Sequence, residues 1–293
     1  MTENDMNEKN KTEKATIYLV ATPIGNLGDV SERAKKVLSE VDFIAAEDTR
    51  NTLKLLSCLG IKNELISYHE HNKRAAGEKI IARVLSGESC AVVTDAGMPA
   101  ISDPGEDIVR LASESGVKVS VIPGACAAVS ALSLSALATS RFCFEGFLST
   151  KASERRARLD KLCREDRTMI IYEAPHKLCD TLDDLAKAFG TDRKISLCRE
   201  LTKLNEEVMR TTLGDACAYY KENAPRGEYV LVIEGCDEAG IVSEEENALL
   251  SLSPEEHVKH YEDEGLSRMD ATKRAAKDRG MSKSELYKII NGG

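Results

Sequence analysis

The stretches ATPIGNLGDVSERA, Ala21 to Ala34, and TDAGMPAISDPGED, Thr94 to Asp107, decide the fold. Each comes directly after a strand-forming run, Thr16-Ile-Tyr-Leu-Val20 in one case and Cys90-Ala-Val-Val93 in the other. Glycine-rich turns at the carboxyl ends of strands border the ligand crevice of an open α/β sheet. Neither turn carries the dinucleotide fingerprint G-x-G-x-x-G or the phosphate loop G-x-x-x-x-G-K-[ST]. The expected ligand is held by backbone and small side chains, not through a pyrophosphate.

Working outward, strand and helix patterns alternate, as in a parallel sheet. A helix is expected over Asp29–Val41, with Val30, Ala34, Val37, Leu38 and Val41 on one face. Helices at Asn51–Leu59 and Arg74–Ser86 each end at a glycine, Gly60 and Gly87. Short strands fall at Phe43–Ala46, Glu64–Tyr68, Ser89–Val93 and Val117–Ile122. Asp103-Pro-Gly-Glu106 reads as a helix start, with Asp103 as cap, Pro104 first in the helix and Glu106 closing a capping box. An Ala/Ser-rich helix follows Pro123-Gly124 as far as Ala138. A second α/β unit begins near Arg141, with strands at Phe142–Phe147, Thr168–Tyr172, Lys194–Arg199 and Tyr229–Glu234. Its helices are expected at Ser153–Arg164, Leu178–Phe189 and Thr211–Glu222. Its connections mix hairpin and crossover lengths, which predicts a mixed sheet. The expected organisation is a disordered lead at 1–15, α/β domains at 16–138 and 139–236, a linker at 237–253 and a helical tail at 254–293. The tail stretches Glu255–Glu264, Arg268–Arg279 and Ser282–Ile290 suit a helix-turn-helix-like module; an oligomer-docking bundle fits the pattern equally.

The 293 residues carry a net charge of −9, which argues against broad nucleic-acid affinity but leaves room for a local basic face. Lys151–Arg167 is such a face, with seven Lys/Arg against four Asp/Glu, and Arg268–Lys288 is another, with seven against three. Both also suit solvated helix surfaces. No apolar run reaches 18 residues, and the polar first fifteen lack the apolar core of a signal peptide. The nine scattered cysteines form no C-x-x-C, so a reduced, cytoplasmic protein is expected. His69 and His71 have no partner pair at ligand spacing, and no metal is expected.

Nine blocks occur in order: ATPIGNLGD, AAEDTR, SYHEHN, TDAGMPAISDPG, IPGACAA, FEGFLSTK, YEAPHKL, CRELTKLNEE and RGEYVLVIEG. In wording and order they resemble the ribosomal small-subunit methyltransferase I family, of the tetrapyrrole-methylase class. The resemblance spans roughly Thr16 to Gly235, and nine ordered blocks are far more specific than one glycine turn. It implies a two-domain α/β fold with S-adenosylmethionine in the cleft between the domains, a homodimer, and 2′-O-methylation of a cytidine ribose in small-subunit (16S) rRNA. On that resemblance Pro23, Ile24 and Gly25 form the first cofactor loop. Asp95, Gly97 and Met98 form the second, and Cys126 and Ala127 line the adenosine pocket. Met98 and Ala125 stand where the family often has Thr and Pro, departures that leave backbone contacts possible.

Methyl transfer to a hydroxyl needs in-line positioning and a proton acceptor. The acceptor candidates are Glu47, Asp48, Glu173 and Glu200, all expected at carboxyl ends of strands, with His69 beside them. Each has a plainer use: Glu47-Asp48-Thr49 also suits a helix cap, and Glu200 a surface ion pair. Arg50, Lys151, Arg199 and Lys203 are candidate phosphate contacts and His69 a further substrate contact. Tyr68, Phe142, Phe144, Phe147 and Tyr172 are the few aromatic surfaces on which an unstacked base could rest. Two other functions share these features: a tetrapyrrole C-methyltransferase and a non-catalytic ribosome-assembly factor. The His-Glu-His-Asn and Glu-Asp-Thr-Arg blocks and the basic tail favour the RNA substrate.

Overall fold

A computed structural model describes residues 11–236 and 249–290. Positions 1–10 of the expected lead and 237–248 of the expected linker lie outside the described residues. The chain divides into two compact units: Met1–Asp160 with Arg167–Glu234, and Lys161–Asp166 with Gly235–Gly293.

The first unit holds two five-stranded sheets. One contains β1 (Thr16–Val20), β2 (Phe43–Ala46), β3 (Leu65–Ser67), β4 (Cys90–Val93) and β5 (Lys118–Ile122). Their order is β3-β2-β4-β1-β5 and every pairing is parallel. The inner strands β2 and β4 are buried at every residue, because helices cover both faces, and their sequences FIAA and CAVV have no polar alternation. Helices α1 (Glu32–Glu40) and α2 (Thr49–Leu59) pack Ala34, Val37, Leu38 and Leu56 on one face. Helices α3 (Lys73–Leu85) and α4 (Gly105–Glu114) pack Ile80, Val84, Ile108 and Ala112 on the other.

The second sheet has the order β6-β7-β10-β8-β9 and is mixed. It comprises β6 (Phe142–Phe147), β7 (Thr168–Glu173), β8 (Lys194–Arg199), β9 (Glu207–Thr212) and β10 (Tyr229–Ile233). Only β6 and β7 run parallel; β10 pairs antiparallel with both β7 and β8, and β9 antiparallel with β8. Helix α5 (Ala127–Leu134) leaves the first sheet and lays Ala128, Ala131 and Leu132 on Ile170, Cys198 and Val232 of the second. Its small side chains allow that close approach. Helices α6 (Ala152–Leu162), α7 (Leu178–Phe189) and α8 (Leu213–Glu222) complete this half.

Several elements depart from the sequence expectation for identifiable reasons. The helix expected from Asp29 starts at Glu32, because Ser31 caps it by accepting from Ala34 N, while Leu27–Asp29 forms a separate 3-10 turn capped by Asn26. Asp103 is not the cap of α4. Pro104 is, and Asp103 instead ties the loop by accepting from the amides of Ala100, Ile101 and Gly105. The Ala/Ser helix stops at Leu134, well short of Ala138, because Ala136 adopts φ +61°. Strand β9 has no counterpart among the expected strands, because its residues EVMRTT alternate too weakly to stand out.

In the second unit, α9 (Pro254–Asp263), α10 (Arg268–Asp278) and α11 (Lys283–Ile290) close on Val258, Tyr261, Ala271, Ala275 and Leu286. Ser253 and Glu256 form a reciprocal capping box at the start of α9. His257 is fully buried, its Nδ1 accepting from Arg279 Nε at 3.0 Å. No helix among the described residues is long and apolar enough to cross a membrane.

Candidate active site

Strand order locates the site. From β1 the chain steps to β2 and β3 under one layer of helices, then returns to β4 and β5 under the other. The neighbours β1 and β4 therefore send their following loops to opposite faces, which opens a crevice at their carboxyl ends. The two glycine-rich turns meet there. Thr22 and Gly97 exchange both backbone hydrogen bonds, at 3.0 and 3.1 Å, and Thr22 Oγ1 donates to Thr94 O at 3.2 Å. Gly97 holds φ +87°, and a Cβ there would stand 3.2 Å from Ile24 Cγ2.

A cleft of about 450 Å³ opens at this point, between the turns and the carboxyl edge of the second sheet. Six of the eight cofactor candidates line it: Ile24, Asp95, Gly97, Met98, Cys126 and Ala127. Pro23 and Gly25 sit just outside, Gly25 against the backbone and side chains of Leu201–Lys203. The opposite wall is more apolar, with Phe147, Tyr172, Leu201 and Tyr229. A bulge between Phe144 and Gly146 shifts the β6 register just before Phe147. Phe147 and Phe144 both meet the Tyr172 ring edge-on, at 5.5 and 5.0 Å. Burial pushes the Tyr172 phenol up to about 12, and its oxygen accepts from Ala128 N, so it remains a neutral wall. Tyr68 belongs to the core, its hydroxyl donating to Pro104 O.

The polar floor is acidic. Glu47 Oε2 accepts from Thr94 Oγ1 at 2.6 Å and Asp95 N at 3.3 Å. Burial pushes the Asp95 carboxyl up, with further upward pressure from Glu47 and Asp48 and relief from the Asn51 amide, 3.2 Å away. Backbone strain gathers at the rim: Ala100 and Ser102 in the second turn, and Glu200 and Thr202 after β8, all have positive φ. Non-glycine residues hold such conformations where surrounding structure over-determines them, often at functional sites.

The four acceptor candidates separate by environment. Glu47 lines the cleft with one oxygen tied down. Glu173 also lines it but is buried, its oxygens bonded to Thr181 Oγ1 and Ala174 N. Asp48 is not brought into the cleft; it caps α2 and binds Arg50 through both oxygens, and the guanidinium holds its carboxyl well below the usual range. Glu200 stands behind the wall, its carboxyl lowered by Lys203 and by the Glu228 amide. Among the substrate candidates only Lys203 lines the cleft. Arg50 points to solvent, Lys151 pairs with Glu154, and Arg199 pairs with Glu207. His69 sits at the end of β3 with its Nδ1 buried and without a hydrogen-bond partner. Of the candidate stacking surfaces Phe147 and Tyr172 line the cleft, while Thr94, Leu201, Glu228 and Tyr229 are lining residues that the sequence does not single out. They come from scattered strand ends, and only their place inside the TDAGMPAISDPG, CRELTK and RGEYV blocks marks them.

Residues 16–217 match the family described as Tetrapyrrole (Corrin/Porphyrin) Methylases. The chain is 48% identical over 281 residues to the Ribosomal RNA small subunit methyltransferase I of Halalkalibacterium halodurans, covering 96% of each protein. It is 44% identical to that of Bacillus subtilis, covering 98% of each. Among solved structures it resembles uroporphyrin-III-C-methyltransferase from Thermus thermophilus, at TM-score 0.54 and 20% identity, covering 75% of this chain and 94% of that one. It also resembles a diphthine synthase, at TM-score 0.57 and 16% identity, covering 75% and 90%. At these identities the structural neighbours speak for the fold alone.

Proposed function

The chain belongs to the ribosomal RNA small subunit methyltransferase I family of the tetrapyrrole methylases, and from that premise we propose that it methylates the ribose 2′-hydroxyl of a cytidine in small-subunit rRNA. The methyl donor is S-adenosylmethionine, bound in the cleft between the two sheets, and the working form is a cytoplasmic homodimer. The observation that carries this reading is the cleft at the β1/β4 switch point, with six of the eight candidate cofactor residues on its wall.

The residues suit that cofactor. Backbone at Gly97 and small side chains at Cys126 and Ala127 leave room for a flat nucleoside, and Asp95 supplies an acceptor for sugar hydroxyls. When bound, the cofactor supplies an electrophilic methyl group on a sulfonium. The protein's own tasks are positioning and proton acceptance. Glu47 is the acceptor: Thr94 and Asp95 fix it through Oε2, which leaves Oε1 to take the ribose proton. Phe147 and Tyr172 offer an apolar surface for a base drawn out of its stack. Lys203 lines the cleft from the side of the second sheet, its ammonium held by Glu200 and Glu228.

Labelled S-adenosylmethionine offered with unmethylated small subunits and, separately, with a tetrapyrrole precursor tests the reading. Label in the subunit rRNA is expected. Label in the tetrapyrrole overturns it, as does cofactor binding with no transfer to either.

A further inference from the structure

The loop after β8 is built around one lysine. Glu200 and Thr202 hold φ +51° and +64°, and the turn they make brings Lys203 back towards Glu200, with Lys203 N donating to Glu200 O at 3.0 Å. Lys203 Nζ donates to Glu200 Oε1 at 2.9 Å and to Glu228 Oε2 at 2.7 Å. The two carboxylates differ in weight. The Glu228 side chain is 79% exposed and its pair is screened, whereas that of Glu200 is 21% exposed. Glu200 is fixed further: Oε1 also accepts from Glu228 N at 3.0 Å, and its backbone N donates to Glu228 O. Gly227 makes the seat, since a Cβ there would lie 2.5 Å from Glu200 Cγ.

The lysine stem in turn lies across Gly25. A Cβ on Gly25 would stand 2.4 Å from Lys203 Cγ, 2.8 Å from Thr202 Oγ1 and 3.0 Å from Leu201 O. Gly25 follows Ile24, which lines the cleft and touches Gly97, and Leu201 and Lys203 line the cleft from the other side. The first glycine turn and the second sheet thus meet at one seam, and Lys203 is its bolt.

We propose that Glu200 is a positioning residue acting through Lys203: it clamps the lysine over Gly25 and so fixes the spacing between the two walls of the ligand cleft. This rests on the cofactor reading above and assigns Glu200 no contact with substrate or reacting atoms. The Gly227 seat, the strained turn and the glycine under the lysine stem all bear on the clamp.

A double-mutant cycle on S-adenosylmethionine affinity, followed by calorimetry, tests it. Glu200→Ala and Lys203→Ala are each expected to weaken binding roughly tenfold, and the double variant no more than either, because the two act as one unit. Lys203→Arg is expected to keep most of the affinity, and Glu200→Gln, which retains an acceptor for both Lys203 and the Glu228 amide but loses the charge, is expected to lose part of it and serves should Glu200→Ala fold poorly. Wild-type affinity in both single variants, or losses that multiply in the double variant, overturns the clamp. The unaltered protein in the same titration separates the two levels: no binding there defeats the cofactor reading itself, while binding indifferent to these substitutions defeats the clamp alone.

Discussion

Replacing Gly97 with alanine separates backbone strain from ligand binding. Gly97 sits at φ +87°, where an L side chain is disfavoured, so the substitution costs about 1–2 kcal/mol of stability. The new Cβ also stands 3.2 Å from Ile24 Cγ2 and 3.4 Å from Ala125 O, so the cleft wall must yield by a few tenths of an ångström. Ile24 is part of the cofactor loop, and its displacement is expected to weaken S-adenosylmethionine about tenfold, or 1.4 kcal/mol. Gly87 supplies the control. It holds φ +105° with nothing within 4 Å of its would-be Cβ, and it lies outside the cleft. Gly87→Ala should lose similar stability with no change in affinity. Urea unfolding gives the first quantity and calorimetric titration the second. Unchanged affinity in Gly97→Ala, or an equal loss in Gly87→Ala, refutes the placement of the cofactor against Gly97.

Other expectations concern single groups. Glu47→Gln should lower kcat about 10²–10⁴-fold, the range for a lost proton acceptor, with cofactor affinity little changed; single-turnover methylation measures it. Asp42 accepts from Ser89 N and Oγ and from Lys14, and the Lys14 bond, acting with those from Ser89, lowers its carboxyl from 3.8 to about 2. A depressed carboxyl stabilises the fold above its unfolded pKa, and the benefit fades as pH falls from about 4 towards 2. Asp42→Asn should therefore cost about 1 kcal/mol at neutral pH after solvent screening, and the cost should shrink as pH falls through about 2, in urea midpoints taken across that range. Leu286 is fully buried among the tail helices. Leu286→Ala should cost about 2–5 kcal/mol, enough to open so small a core, and limited proteolysis should then cut 254–290 while sparing the sheets.

Much of this was legible in the sequence because the relevant signals are local. Val20, Val93, Gly25 and Gly97 declare strand ends and turns by residue type alone, and the ordered blocks identify the family. What stayed hidden depends on tertiary partners. AAEDTR offers two adjacent carboxylates, and nothing in its spelling says that Thr94, 47 residues away, would hold Glu47 in the cleft while Arg50 ties Asp48 to a helix cap. Glu200 reads as a candidate base because it ends a strand, yet its place depends on Gly227 and Lys203. The early end of α5 turns on Ala136 at φ +61°, a conformation that alanine does not advertise.

The central claim is chemical, and the product tests it most directly. Small subunits lacking native methylation would be incubated with the protein and labelled S-adenosylmethionine, and their rRNA digested to nucleosides for mass spectrometry. The account predicts label in 2′-O-methylcytidine. Label on a base, on another nucleoside, or none in the rRNA would contradict it.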